Sequence, residues 1–204
     1  VFGVQSDRAL GLDKRIGREH LSPGLGFGGG CFPKDIRALA VRADELGVPT
    51  LSGLISSVEM INAAQRSQVA ELAVEQLGGD VTGKKVAVLG AAFKPGTDDT
   101  RDSPALTVAD QLHRHGARVE IYDPQARLTP REGFTQVADV TSAVRDADIV
   151  LHLTEWPEFR DLDPAELGAI AKNKIIIDGR LKLPGSAWRA AGWKLVQIGR
   201  AATL

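Results

Sequence analysis

The segment with the densest chemical potential is Gly26-Phe27-Gly28-Gly29-Gly30-Cys31-Phe32-Pro33-Lys34-Asp35. Three adjacent glycines strip the side chains from a stretch of backbone, which lets another group come close to it. The run ends where a helix is expected to start, because Pro33 suits a first-turn position. Unpaired N–H groups and the helix dipole at such an end favour anions. Cys31 stands just before that turn, and with Lys34 nearby the position favours the ionised thiol, the nucleophilic form. Asp35 lies four residues on, one turn along the same side. It is a candidate base or orienter for water attacking an acyl carbon on sulfur. A lone cysteine is more often a buried structural thiol. The glycines before it and Pro-Lys-Asp after it weigh against that reading here, largely through the resemblance set out below.

These residues must be carried by elements, and two regimes of apolar spacing are visible. Up to about Gly79 the spacing is helical. A helix piece is expected over 1–12, then a loop from Asp13 to Gly30. A helix from near Pro33 follows, with Ile36, Leu39, Ala40, Ala43 and Leu46 on one face and Gly47 as its stop. After Pro49, Leu51, Leu54, Ile55, Val58, Ile61, Gln65, Val69, Leu72 and Leu77 mark a second, unusually long helix that ends at Gly78-Gly79. A helix well beyond the average of about 11–12 residues should bridge two domains or pack against a second copy.

Beyond Gly83 short β-branched runs alternate with helical stretches. Strands are expected at Lys85–Leu89, Arg118–Tyr122, Ile149–Thr154, Ile175–Asp178 and Lys194–Ile198. Helices are expected at Pro104–His115, with Ser103 as N-cap, near Pro164–Ala171 and at Ser186–Ala191. This alternation indicates a parallel sheet with helices on both faces. Val86-Ala87-Val88-Leu89 and Ile175-Ile176-Ile177 read as strands buried on both sides. The fold class is therefore α/β. Residues 1–80 are expected to form a helical dimerisation segment that carries the cysteine loop and a long connecting helix. Residues 81–204 are expected to form a Rossmann-like α/β domain.

Composition narrows the function classes. The 204 residues are 43% hydrophobic and 25% charged, with a formal net charge of −1. Nothing pulls the chain globally toward nucleic acid or an anionic membrane. No apolar run approaches the roughly 20 residues a bilayer span needs. The single cysteine rules out an internal disulfide and fits a reducing, cytoplasmic setting. His113, His115 and His152 show no metal spacing and read as surface or packing residues, and Trp156 and Trp188 as core.

With these residues in view, the chain resembles the nucleotide-sugar dehydrogenases of the UDP-glucose/GDP-mannose dehydrogenase family. The likeness runs through Gly11-Leu12-Asp13-Lys14-Arg15-Ile16-Gly17 and Gly24 to Asp35. It continues through Val88 to Pro104, which includes Phe93-Lys94-Pro95-Gly96-Thr97-Asp98-Asp99-Thr100-Arg101, and then Ile121-Tyr122-Asp123-Pro124, Thr154-Glu155-Trp156 and Ile177-Asp178-Gly179-Arg180. Several separate motifs in order carry far more weight than one glycine-rich loop.

The resemblance implies an NAD-dependent, two-step oxidation of a nucleotide sugar, with UDP-glucose favoured as substrate and UDP-glucuronate as product over GDP-mannose or a UDP-N-acetyl sugar. It implies Cys31 as the nucleophile and Asp35 as the carboxylate that assists water. It implies that Arg15 reaches the sugar in a neighbouring subunit's site, and that His20, Leu21, Ser22, Pro23, Gly24 and Gly28 form the loop holding the nucleotide sugar. Lys94 and Arg180 would also bind substrate, and Lys34 and Arg101 would approach NAD. A homodimer is expected. Arg101 has a competing reading as loop scaffolding paired with Asp98, Asp99 or Asp102.

Three departures stand out. No Gly-x-Gly-x-x-Gly follows any strand. The dinucleotide-binding domain is therefore expected upstream of Val1, and the chain by itself is expected to be inactive. His20 replaces an aromatic ring common in the family. Gly30 stands where serine or a larger residue is common, which leaves space beside Cys31. The main alternative is a non-catalytic module that binds a UDP sugar and dimerises. A thiol hydrolase pairing Cys31 with a histidine finds no suitably placed histidine.

Overall fold

The computed structural model describes residues 9–17, 22–130 and 132–199. Most of the helix expected over 1–12 lies outside this set, as do His20 and Leu21. The helical part contains α1, Phe32–Glu45, and α2, Pro49–Gln76. Helix α1 starts at Cys31 as N-cap, with Pro33 in its first turn. It stops at Leu46 and Gly47, whose φ of +67° is the left-handed conformation glycine adopts freely. Helix α2 runs 28 residues without a break. It gives way to Gly78 and Gly79, both at positive φ.

The α/β part follows as β1 (Lys85–Leu89), α3 (Pro104–Arg114), β2 (Arg118–Tyr122), β3 (Phe134–Gln136), α4 (Val140–Val144) and β4 (Ile149–His152). A 3₁₀ turn at Pro157–Arg160, α5 (Pro164–Ile170), β5 (Ile175–Asp178), α6 (Gly185–Ala190) and β6 (Lys194–Gln197) complete it. The six strands among the described residues form one parallel sheet in the order β3-β2-β1-β4-β5-β6. Strands β1 and β4 sit at its centre and are buried along their whole length. They explain the apolar run at Val86–Leu89: both faces meet helices. Ser103 caps α3 as expected, its Oγ accepting from the Leu106 N–H at 3.4 Å.

Two elements were not anticipated. Strand β3 has three residues at a sheet edge and buries little, so it carries no apolar alternation to read. Helix α4 has five, and its signal was the capping Asp139, whose carboxylate accepts from the Ser142 N–H at 2.7 Å. The apolar faces proposed for α1 and α2 are only partly covered. Val69, Ala70 and Ala73 of α2 join the sheet's core. In contrast Leu39, Leu46, Leu54 and Ile61 are largely exposed. Trp156 and Trp188 are buried.

The sheet's topology determines where a ligand can approach. Consecutive strands wind outward from β1 in one direction through β2 and β3, and in the other through β4, β5 and β6. The crevice outside the carboxyl ends of β1 and β4 is the switch point at which such sheets bind ligands. Phe93 and Lys94 follow β1, Glu155 follows β4, and Arg180 follows β5, so three separate stretches of chain converge on this edge.

Candidate active site

The glycine-rich loop is anchored to that edge. Leu25 is wholly buried and belongs to the core of the α/β part although it is far away in sequence. On both sides of it the glycines are required by close approach. A side chain at Gly24 would begin 2.6 Å from Nη1 of Arg180, and one at Gly28 would strike the Asp102 carbonyl and lie 2.7 Å from Pro104. At Gly29 the Phe93 ring stands 2.9 Å away, and the Gly29 N–H donates to the Arg101 carbonyl at 3.0 Å. The space left by Gly30 is not empty: the Arg101 guanidinium lies against the Gly30 backbone, with Nε 2.6 Å from where a Cβ would be.

Helix α2 grips the same loop from the other side. Asn62 accepts from the Phe27 N–H at 2.8 Å and donates to the Phe27 carbonyl at 3.1 Å. Arg66 donates to that carbonyl at 2.6 Å, to Asp102 Oδ1 at 3.0 Å and to Thr107 Oγ1 at 3.1 Å. The other Asp102 oxygen receives Arg37 of α1 at 3.2 Å, and Arg37 also pairs with Glu59 of α2 at 2.7 Å. Asn62, Arg66, Arg37 and Glu59 were not singled out from the sequence. Their partners lie 35 or more residues away in most cases, and only the helical periodicity of α2 marked their place.

Cys31 emerges at the end of this loop as a free, exposed thiol. It caps α1 with no side-chain bond of its own. Its charged neighbours come from two elements. Lys34 and Asp35 on α1 pair at 2.8 Å, and both are exposed. Arg101 is held by Asp99 through bonds of 3.0 Å from Nε and 2.7 Å from Nη2. Lys34 is raised above the usual lysine range first by the Asp35 hydrogen bond and charge, and to a lesser degree by the charge of Cys31. Arg101 is raised first by Asp99 and again, more weakly, by Cys31. Arg101 thus makes the loop pairing expected of it, with Asp99, and also stands beside the thiol.

Next to the loop opens a cleft of about 480 Å³, bounded by Ser22, Gly24, Phe27, Asn62, Gln65 and Arg180 among others. Arg180 is buried, which lowers its pKa from the arginine norm, while the Glu155 charge opposes that fall. Its Nε donates to the Leu153 carbonyl at 2.7 Å and lies 3.0 Å from Glu155 Oε2, an ion pair without hydrogen-bond alignment. Its Nη2 reaches the Phe93 carbonyl at 3.5 Å, and Nη1 faces Gly24 beside the cleft. Lys182, another residue the sequence reading passed over, donates to Ser22 Oγ at 3.2 Å. A cleft with a buried arginine on its wall and a lysine at its rim suits an anionic ligand, and the loop backbone between them suits a flat or sugar-like one.

The expected residues are brought together unevenly. Cys31, Lys34, Asp35 and Arg101 form one cluster; Ser22, Gly24 and Arg180 line the cleft; Gly28 packs between loop and sheet. Pro23 is half-buried in the same loop. Lys94 is exposed and lies 5.5 Å from the centre of the Phe93 ring. Arg15 is apart from this group, its side chain 89% exposed and paired with Asp13.

The sheet has the strand order of dinucleotide-binding domains, yet the corresponding place is filled. Such domains put an acid at the end of β2 to hold a ribose. Here that acid is Asp123, 1% exposed. Its oxygens accept from the N–H groups of Ala91, Ala92, Gln125 and Ala126 and from the Trp156 indole. With its acceptors consumed inside the protein, this sheet does not fit a dinucleotide in that place. The exposed cations Lys34 and Arg101 beside Cys31 do fit an anionic cofactor arriving from outside the chain's own sheet.

Two family descriptions match the sequence. The central domain of the UDP-glucose/GDP-mannose dehydrogenase family matches residues 6–64, and its UDP binding domain matches residues 87–183. Among curated relatives, the UDP-glucose 6-dehydrogenase TuaD of Bacillus subtilis is 40% identical over 197 residues, 95% of this chain and 42% of its own length. The UDP-glucose 6-dehydrogenase AglM of Haloferax volcanii is 43% identical over 186 residues, 88% of this chain and 42% of its own. A solved UDP-glucose dehydrogenase from Pyrobaculum islandicum superposes with a TM-score of 0.78 at 34% identity, over 96% of this chain and 42% of that one. A UDP-D-ManNAc dehydrogenase from Pyrococcus horikoshii gives 0.76 at 29%, over 99% and 46%. The chain spans less than half the length of the relatives it matches.

Proposed function

This chain belongs to the UDP-glucose/GDP-mannose dehydrogenase family, and we propose that it is the part of an NAD-dependent UDP-glucose 6-dehydrogenase that binds the nucleotide sugar and supplies the thiol. In this reading residues 1–80 form the central, dimerising unit and 81–204 the UDP-binding unit of a cytoplasmic homodimer. The observation that carries it is the exposed thiol of Cys31 at a helix start, reached from the Arg180 cleft along a loop of bare backbone.

The chain's own groups divide the work. Arg180, Lys94 and the loop from 20 to 24 with Gly28 hold UDP-glucose, with the diphosphate charge answered by Arg180. Lys34 and Arg101 would hold the anionic side of NAD, and two NAD molecules, bound in turn, would each take up one hydride from C6 of the sugar, the C6 hydroxyl proton leaving with the first. After the first, the Cys31 thiolate adds to the C6 aldehyde, and the new carbon–sulfur bond keeps the aldehyde from escaping. Loss of the second hydride leaves C6 as a thioester on Cys31. Asp35 takes a proton from the water that attacks this carbon. The carbon–sulfur bond breaks, the thiolate returns and UDP-glucuronate departs. Arg15, which is not drawn into its own chain's cleft, is assigned to the sugar site of the second subunit.

A second reading has one observation behind it. Asp123 fills the dinucleotide place of this sheet, so the chain alone would bind a UDP sugar without oxidising it. Both readings meet one experiment: the chain joined to the remaining, larger part of its relatives' length, supplied with UDP-glucose and NAD. NADH should accumulate, and Cys31→Ser should abolish it. UDP-glucose binding with no NADH formed from the wild-type protein would leave only the binding module. GDP-mannose or a UDP-N-acetyl sugar oxidised in preference would replace the substrate.

A further inference from the structure

Phe27 is a junction between the cleft and Cys31. Its N–H and carbonyl are both occupied by Asn62, and the carbonyl takes a second bond from Arg66. Its ring meets that of Phe32 edge-on, with centroids 4.8 Å apart and planes at 73°. Phe32 is the residue after Cys31 and opens α1. Phe27 and Asn62 are also walls of the cleft. A path of direct contacts therefore leads from the cleft through Phe27 to Phe32 and the thiol.

Arg66 holds the middle of this path at some cost. It is 7% exposed, and its Nε has no partner. Burying a guanidinium with one donor unpaired is unfavourable unless its other bonds are needed. Those bonds reach two places at once. One is the Phe27 carbonyl. The other is Asp102, whose φ of +48° is a left-handed backbone that costs a non-glycine residue energy. Asp102 follows Arg101, the cation beside Cys31. A scaffold joining α2 to the sheet would require only the Asp102 and Thr107 bonds; the bond to a loop carbonyl serves the loop. Asn62 and Arg66 are four residues apart on one face of a continuous helix, which gives both a rigid base.

We propose that Asn62 and Arg66 are positioning residues that couple filling of the cleft to the placement of Cys31, with Phe27 as the link. This rests on the reading of Cys31 as the nucleophile. The probe is UDP, which lacks the hexose of a nucleotide sugar and so covers the cleft without covering the thiol. The single cysteine allows alkylation by iodoacetamide to be followed by mass at fixed pH, with and without saturating UDP. UDP should change the Cys31 rate by about tenfold, a common size for coupling between linked sites. With UDP raised to saturation for each variant, as fixed by calorimetry, its effect on the rate should largely vanish in Asn62→Ala and Arg66→Lys. Lysine keeps the charge but cannot span Phe27 and Asp102 together. Should Arg66→Lys fail to fold, Asn62→Ala carries the test alone. The coupling is overturned if UDP leaves the wild-type rate unchanged while UDP-glucose blocks it, because the protection is then steric. It is also overturned if the variants keep the full UDP effect. The role of Cys31 itself is tested separately by the NADH assay, where Cys31→Ser is decisive whatever UDP does to alkylation.

Discussion

The two parts of this molecule treat apolar side chains in opposite ways. From Val69 onward the large apolar residues are gathered into one core, with Val86–Leu89, Ile149–Leu151, Ile176 and Ile177 fully covered. Before Asn62 the same kinds of residue stand in the open: Phe32, Leu39, Val41, Leu46, Leu54, Met60 and Ile61 are about half exposed or more. Leu25 and Ile55 are exceptions, and Leu25 is buried in the other part's core. The α/β part encloses its own core, whereas the helical part leaves large apolar side chains uncovered. The site lies on the boundary, where the loop leaves the open part and seats on the closed one.

This contrast can be broken or sharpened by mutation. The largest effect should come from the closed part. Phe159 is wholly buried and packs edge-on against Tyr122 and His152; Phe159→Ala should cost about 3–5 kcal/mol in urea unfolding. A loss near zero would mean that the core is not as tightly filled as it looks. Next is the plugged crossover. Asp123→Asn retains the size but loses the charge that draws four backbone N–H groups, and should cost about 2–3 kcal/mol.

The same carboxylate predicts a pH dependence. Burial works to raise the pKa of Asp123, but the four backbone N–H donors outweigh it and the net direction is down. Asp178 is also lowered, with burial opposing and the His152 hydrogen bond and charge prevailing. A group whose folded value lies below its unfolded one, about 3.9 for Asp, contributes stability at higher pH and loses it as pH falls through the folded value. The urea midpoint should therefore drop on the acid side of about pH 4. Asp123→Asn should flatten part of that drop, and a midpoint independent of acid would rule out this account.

At the boundary the effect should be intermediate. Gly28→Ala drives a methyl into the Asp102 carbonyl and Pro104, for about 1–3 kcal/mol, and should weaken UDP binding as the loop lifts; unchanged calorimetry would show that the loop has room. The smallest effects belong to the open part. Leu54→Asp and Met60→Asp, at positions 62% and 67% exposed, should change the chain's own unfolding by less than about 0.5 kcal/mol. They should instead shift sedimentation from dimer to monomer. A large fall in stability with no change in sedimentation would mean that the exposed face belongs to the chain's own packing.

Legibility in the sequence follows the same boundary. In the closed part, Val86–Leu89 and the Ser103-Pro104 cap gave β1 and α3 almost to the residue, since burial on both sides and capping are local signals. Strand β3 was invisible because three half-exposed edge residues impose no pattern. In the open part, the length of α2 was readable from Pro49 to Gly78, but its apolar stripe implied burial that its first half does not have. Cys31 and Asp35 were marked by composition. Asn62 and Arg66 were not, because an amide and a guanidinium in mid-helix look like solvent-facing positions until Phe27, far away in sequence, is placed against them. Gly30 could be seen as vacant room but not that Arg101 would occupy it.

The uninterrupted course of α2 has a mechanical consequence. At 1.5 Å per residue its 28 residues make a strut of ~42 Å. One arm packs Val69, Ala70 and Ala73 into the core of the α/β part and the other leaves Leu54, Met60 and Ile61 exposed, while Asn62 and Arg66 sit between them. On the proposed coupling, a partner that takes hold of the exposed arm would bear on the same rod that steadies the sulfur, and assembly and chemistry would share a lever.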